Sequence, residues 1–148
     1  MKVLLLHGLE SCPGGSKAEA IKSAGHKLIN PALPADNWND SLIITQKAID
    51  EHNPDVVVGS SRGGALVVNV DTKNARRVLI APAWKKYGSQ TANNTPGSTV
   101  ILHALFDDVI PFKDSRMLSE MTGAKLVVIG NDHRMNTQDV LDKLVRLI

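Results

Sequence analysis

The chain has 148 residues, 43% of them hydrophobic and 22% charged, which suits one globular domain able to bury a core without disulfides. A net charge of +2 with scattered basic residues argues against a nucleic-acid partner, and the single cysteine, Cys12, excludes an internal disulfide. The opening apolar run, Val3 to Leu6, is shorter than the ~7–15 residues of a signal-peptide core. No run approaches the ~20 residues that span a membrane, so a cytoplasmic protein with no membrane partner is expected.

In chain order, the first predicted element is a strand over 3–6. A helix over 16–23 follows, stopped at Gly25, and then a weaker strand over 27–29, ending at Asn30-Pro31. Leu42, Ile43, Ala48 and Ile49 give a helical stripe over 40–52, which Asn53-Pro54 ends. A strand over 56–58 runs into Gly59. Residues 63–70 are rich in β-branched side chains, as a strand would be, but the turn before them favours a helix. A strand over 78–80 leads to a polar, turn-rich stretch, 85–98, read as a surface loop replacing a helix. Strand 100–105, helix 115–121, strand 126–129 and helix 137–147 complete the set. The strands are apolar at successive positions rather than alternating, which predicts burial on both faces. The expected architecture is α/β: three layers, α/β/α, around a mainly parallel, doubly wound sheet with right-handed crossovers. It forms one domain over 1–148, with no separate lid domain.

The strongest local signal is Gly59-Ser60-Ser61-Arg62-Gly63-Gly64, directly after strand 56–58. It matches G-x-S-x-G, in which a serine sits on a sharp strand-to-helix turn and the positions two before and two after must be small. Ser61 fits that frame; Ser60 lies one position off it. The turn lifts the hydroxyl above the sheet and sets the Arg62 N–H at the start of the next helix, where it can face a developing oxyanion. A competing reading is a glycine-rich turn that merely contains serines.

A serine nucleophile needs a base, and neutral imidazole suits that task near pH 7. Two histidines follow Ser61. His103 lies within an apolar strand and is read as a packed strand residue. His133 follows strand 126–129 through Gly130-Asn131-Asp132, at the carboxyl end of a strand, where sites form in open α/β sheets.

The segment His103-Ala104-Leu105-Phe106-Asp107-Asp108-Val109-Ile110-Pro111 resembles the H-G-x-x-D-x-x-V-P segment of the α/β-hydrolase superfamily, with Ala104 and Ile110 as departures. With the serine turn ahead of it and His133 behind, the resemblance runs from Val3 to the final helix. In scale the chain is similar to compact, lidless bacterial serine esterases of the YqiA-like and retinoblastoma-binding-protein-like kinds. The resemblance implies the chain order nucleophile, acid, base, and places the acid at Asp107 rather than Asp108. It also implies that His7-Gly8 opens a loop whose Leu9 backbone N–H is the second oxyanion donor, with His7 supporting that loop. Cys12, in the same region, has no activating frame and is read as an unreactive thiol.

Arg62 and Arg134 flank the nucleophile and the base, and either could meet an anionic substrate group; Arg62 could instead pair with a carboxylate such as Glu10. Trp84 could line the substrate pocket, and so could Trp38, although both also suit ordinary packing. The implied activity is that of a serine hydrolase acting on small or polar esters, needing no metal and no cofactor. A thioesterase or amidase would use the same groups, and a low-turnover binding protein could keep the fold. A phosphate-binding loop is disfavoured, because neither G-x-x-x-x-G-K-[ST] nor G-x-G-x-x-G spacing is present.

Overall fold

Each continuous apolar run becomes a strand of one sheet. The computed structural model describes residues 1–9, 13–89 and 98–148. The strands are β1 (Lys2–Leu6), β2 (Lys27–Ile29), β3 (Val56–Ser60), β4 (Arg76–Ile80), β5 (Thr99–His103) and β6 (Lys125–Val128). They lie in the order β2-β1-β3-β4-β5-β6, and every pairing is parallel. The helices are α1 (Gly15–Ser23), α2 (Trp38–His52), α3 (Arg62–Val67), α4 (Trp84–Tyr87), α5 (Phe112–Thr122) and α6 (Gln138–Leu147).

Alternate strand residues feed two separate cores, because successive side chains point to opposite faces. Leu4, Leu6, Val57, Leu79 and Ile101 pack with Ile49 of α2, Leu66 of α3, Trp84 of α4 and Leu118 of α5. Val3, Leu5, Val56, Val58, Val78 and Leu102 pack with Ile21 of α1 and with Val140 and Leu144 of α6. The result is the three-layer, doubly wound arrangement expected from the strand pattern. Two-sided burial holds for the central strands but not for β2 and β6, whose outer edges have no neighbour and leave residues partly or fully exposed.

Boundaries moved where local chemistry overrode the apolar pattern. Asn37 caps α2 by accepting from the Asp40 N–H at 2.9 Å, so the helix starts at Trp38 rather than at 40. Residues 62–67 are helical, and the strand alternative for this stretch is wrong; the helix also stops short of 70. Pro111 sits at the cap of α5 with φ of −58°, and the helix begins directly after it, three residues earlier than expected. The expected loop over 85–98 opens instead with the last residues of α4, and its residues 90–97 lie outside the described set.

The winding sets where a site can form. From β1 the chain moves outward to β2 and then returns to β3 on the other side of β1. The loops leaving β1 and β3 therefore diverge at their carboxyl ends and open a crevice between them. Ser61 follows β3 and His7-Gly8 follows β1.

Candidate active site

Ser61 occupies the tight turn between β3 and α3 with φ of 56° and ψ of −112°, a strained conformation for a residue with a side chain. Its neighbours hold it there. Its N–H donates to the Ile80 carbonyl at 2.8 Å, and its carbonyl accepts from the Ala83 N–H at 2.9 Å. The flanking glycines are dictated by contact. A Cβ on Gly59 would lie 2.4 Å from the Gly63 carbonyl oxygen, and one on Gly63 would lie 2.1 Å from that of Leu6. The G-x-S-x-G spacing is thus the signature of a turn packed backbone-to-backbone on itself and on β1.

His133 approaches from the loop between β6 and α6. Met135, fully buried in the core beneath α1 and α6, anchors that loop two residues further on. Gly130 leaves room for it, since a Cβ there would meet the Met135 sulfur at 2.8 Å. His133 Nε2 lies 2.9 Å from Ser61 Oγ, and its Nδ1 lies 2.7 Å from Asp107 Oδ2. Ser61, His133 and Asp107 therefore form one hydrogen-bonded chain, whereas the exposed Asp108 stands outside it. With the carboxylate facing Nδ1, that nitrogen carries the proton and Nε2 is left to accept from the serine hydroxyl.

The Asp107 side chain is fully buried. Burial alone would push its carboxyl up, but donors from His133 and from the Ile110 and Val109 N–H groups outweigh this and hold it below the usual carboxylate range. The two backbone groups donate to Oδ1 at 2.8 Å each. Oδ2 has a second neighbour that sequence reading assigned only to packing. His103, at the end of β5 and 0% exposed, places Nε2 3.0 Å from it.

Other predicted residues separate into those that border the crevice and those that do not. A cleft of about 680 Å³ lies over Ser61 and His133, and Leu9 and Arg62 both border it. The Arg62 N–H falls in the first turn of α3, where a helix supplies no acceptor of its own. His7 braces the β1 loop, with Nδ1 2.8 Å from the Gly8 carbonyl and Nε2 accepting from the Leu33 N–H at 3.2 Å. The Arg62 guanidinium does not project into the cleft as a substrate-binding group. The residue is 3% exposed, its Nη2 donates to the Pro34 carbonyl and to Ser41 Oγ at 3.0 Å each, and the group lies against the stacked rings of Trp38 and Tyr87. A buried cation requires such acceptors. Trp84 is likewise corrected as a pocket wall: it is buried in the core, and its Nε1 donates to the Asp114 carbonyl at 2.8 Å. Tyr87, one turn further along α4, borders the cleft in its place. Glu10 and Cys12 lie outside the described residues.

The described lining of the cleft is basic. Lys17, Lys86 and Arg134 line it, and no described lining residue is an aspartate or glutamate. Lys17 Nζ donates to the Arg134 carbonyl at 2.8 Å, tying α1 to the His133 loop. Burial lowers the Lys17 ammonium to about 8, partly offset by Asp132. Sequence reading missed Lys17, because a crossover helix brings it to the site from a segment with no motif. Among the described residues no cluster of three or more His, Cys, Asp or Glu could hold a metal ion, and no helix is long and apolar enough to cross a membrane.

No family model matches the chain, and no curated protein matches it. Solved structures do. Est1E from Butyrivibrio proteoclasticus superposes with a TM-score of 0.81 at 14% identity, covering 99% of this chain and 86% of Est1E. The fold is the α/β-hydrolase fold. The ydeN gene product of B. subtilis gives 0.79 at 12% identity, over 99% of this chain and 97% of that one. Alpha/beta hydrolase domain-containing protein 10 from mouse gives 0.73 at 17% identity, over 99% and 87%. The sheet and its winding are thus those of the α/β-hydrolase fold, over nearly the whole length of the chain.

Proposed function

We propose that this protein is a serine hydrolase, a carboxylesterase of small or polar esters, with Ser61 as nucleophile, His133 as base and Asp107 as the acid that orients it. The observation that carries this reading is the continuous hydrogen-bond path from Ser61 Oγ through His133 to Asp107 Oδ2, mounted on a strained turn at the floor of a cleft. In the first half-reaction Ser61 Oγ attacks the ester carbonyl carbon as its proton passes to His133 Nε2. The backbone N–H groups of Leu9 and Arg62 receive the oxyanion, and loss of one such donor typically costs roughly 3–4 kcal/mol. The imidazolium, stabilised by Asp107, then protonates the departing alkoxide and leaves an acyl-Ser61. Water repeats the sequence, with His133 as its base, and frees the acid. A thioester or amide would follow the same path with a different leaving group.

The charge of the cleft supports a narrower substrate class, esters that carry a carboxylate. Lys17, Lys86 and Arg134 supply the cations, in place of the buried Arg62 guanidinium. The test is a panel of p-nitrophenyl esters, thioesters and anilides, each offered with and without a terminal carboxylate. Ester turnover that disappears in Ser61→Ala and His133→Ala is the expected result. Turnover unaffected by Ser61→Ala would contradict the reading.

A further inference from the structure

Asp107 meets two imidazoles, and the triad uses only one of them. His103 Nε2 lies 3.0 Å from Asp107 Oδ2 and 3.1 Å from the Ile110 carbonyl, both of them acceptors. His103 Nδ1 lies 2.6 Å from Ser115 Oγ on α5. Two acceptors at Nε2 require a proton there, so Nδ1 is left to accept from the Ser115 hydroxyl. The ring has no contact with solvent, and its other neighbour on α5, the Phe112 ring, meets it edge-on at 5.7 Å. We infer that His103 is a positioning residue for the hydrolytic reaction: as a neutral Nε2–H donor, locked in that tautomer by Ser115, it holds the Asp107 carboxylate in line with His133 and moderates its pull on the His133 proton.

The arrangement extends the path to Ser115–His103–Asp107–His133–Ser61, reaching from α5 to the nucleophile. Its groups differ in freedom. The Asp107 carboxylate is fixed at Oδ1 by two backbone donors, but these leave rotation about that edge to be set at Oδ2. His103 supplies a donor there that does not change during turnover, while His133 gains and loses charge. Among the described residues, the titratable groups acting on His103 are Asp107 and His133; from α5 it meets Ser115 and Phe112, which do not titrate in the range of interest. Burial lowers the proton affinity of His103, against the opposing pull of Asp107, and a charged His133 lowers it further, which favours the neutral ring. A second imidazolium at Oδ2 would compete with the one the reaction forms.

This inference rests on the serine-hydrolase reading, and its test separates the two. In His103→Ala, Oδ2 loses a donor and draws the His133 proton more strongly. The acid limb of kcat against pH is then expected to move upward by roughly half a pH unit. At the same time kcat falls about tenfold at constant KM. His103→Gln, whose amide can donate to Oδ2, is expected to recover most of the rate and the position of the limb. A folded His103→Ala with the parent's kcat and limb overturns the proposal. So does a loss of kcat at every pH with no movement of the limb and no rescue by Gln. The tautomer is read independently of turnover from ring ¹⁵N shifts of the whole protein: Nε2 protonated and Nδ1 bare at neutral pH is expected. A protonated Nδ1 there overturns the proposal even if the protein hydrolyses no ester.

Discussion

Asp107→Asn probes the site with the smallest change of shape. The Val109 and Ile110 N–H groups both donate to Oδ1 at 2.8 Å, so the asparagine carbonyl is drawn to that position. The amide NH₂ then falls at the place of Oδ2, 2.7 Å from His133 Nδ1 and 3.0 Å from His103 Nε2. A donor now faces two donors. His133 can relieve the clash only by moving its proton to Nε2, which faces Ser61 Oγ at 2.9 Å and can then no longer accept the serine proton. Turning the amide over transfers the clash to the two backbone donors, each of which would lose its partner at about 1–3 kcal/mol. A wrong base tautomer in a serine triad costs ~10⁴ in kcat, equivalent to about 5.5 kcal/mol of transition-state stabilisation. The assay is hydrolysis of p-nitrophenyl acetate, with thermal unfolding followed in parallel. The substitution also removes an acid-side dependence of stability. The Asp107 carboxyl is held low in the folded protein, so its contribution is present above the unfolded value of about 4 and fades as pH falls through the folded one. A folded Asp107→Asn within tenfold of the parent kcat would refute the reasoning, as would an equal loss in Asp108→Asn.

Three further substitutions test the turn, the buried cation and the cleft. Gly63→Ala places a Cβ 2.1 Å from a backbone oxygen of β1 that cannot step aside, so a loss of about 3 kcal/mol or more is expected in urea unfolding. Arg62→Ala removes two hydrogen bonds from a charged donor and a contact with two stacked rings. It is expected to destabilise by about 2–3 kcal/mol while leaving the ratio of kcat/KM for anionic over neutral esters unchanged. Lys17→Met should lower that ratio about fivefold, and the lost hydrogen bond to the Arg134 carbonyl should cost about 1 kcal/mol of stability. In the parent the same ratio should fall as pH rises through about 8, where the Lys17 ammonium loses its charge.

The sheet and the turn at Ser61 were legible because each rests on short-range sterics. The central apolar runs fit strands covered on both sides, and the glycines around Ser61 record a backbone contact that no larger residue permits. His133 was legible by position, since it lies just past the carboxyl end of a strand. Asp107 came from the resemblance of its segment, and the structure adds the turn by which the carboxylate binds its own following N–H groups. The rest depended on directions that spacing does not encode. Arg62 follows Ser61 in sequence, but the Pro34 carbonyl ahead of α2 and the stacked rings of Trp38 on α2 and Tyr87 on α4 form a box behind it, and the guanidinium turns there. Trp84 enters the core because a carbonyl of α5 awaits its indole N–H. His103 looked like a core residue because it is one, fully buried at the end of an apolar strand. The available signal was its separation of four residues from Asp107 across the end of β5, which lets the ring reach the carboxylate.

The most direct measurement of the central claim is reaction of the folded protein with a fluorophosphonate, followed by peptide mapping of the adduct. The account predicts one adduct, on Ser61, absent from Ser61→Ala and strongly slowed in His133→Ala. An adduct on Ser60 or elsewhere, or none on folded protein, would contradict it.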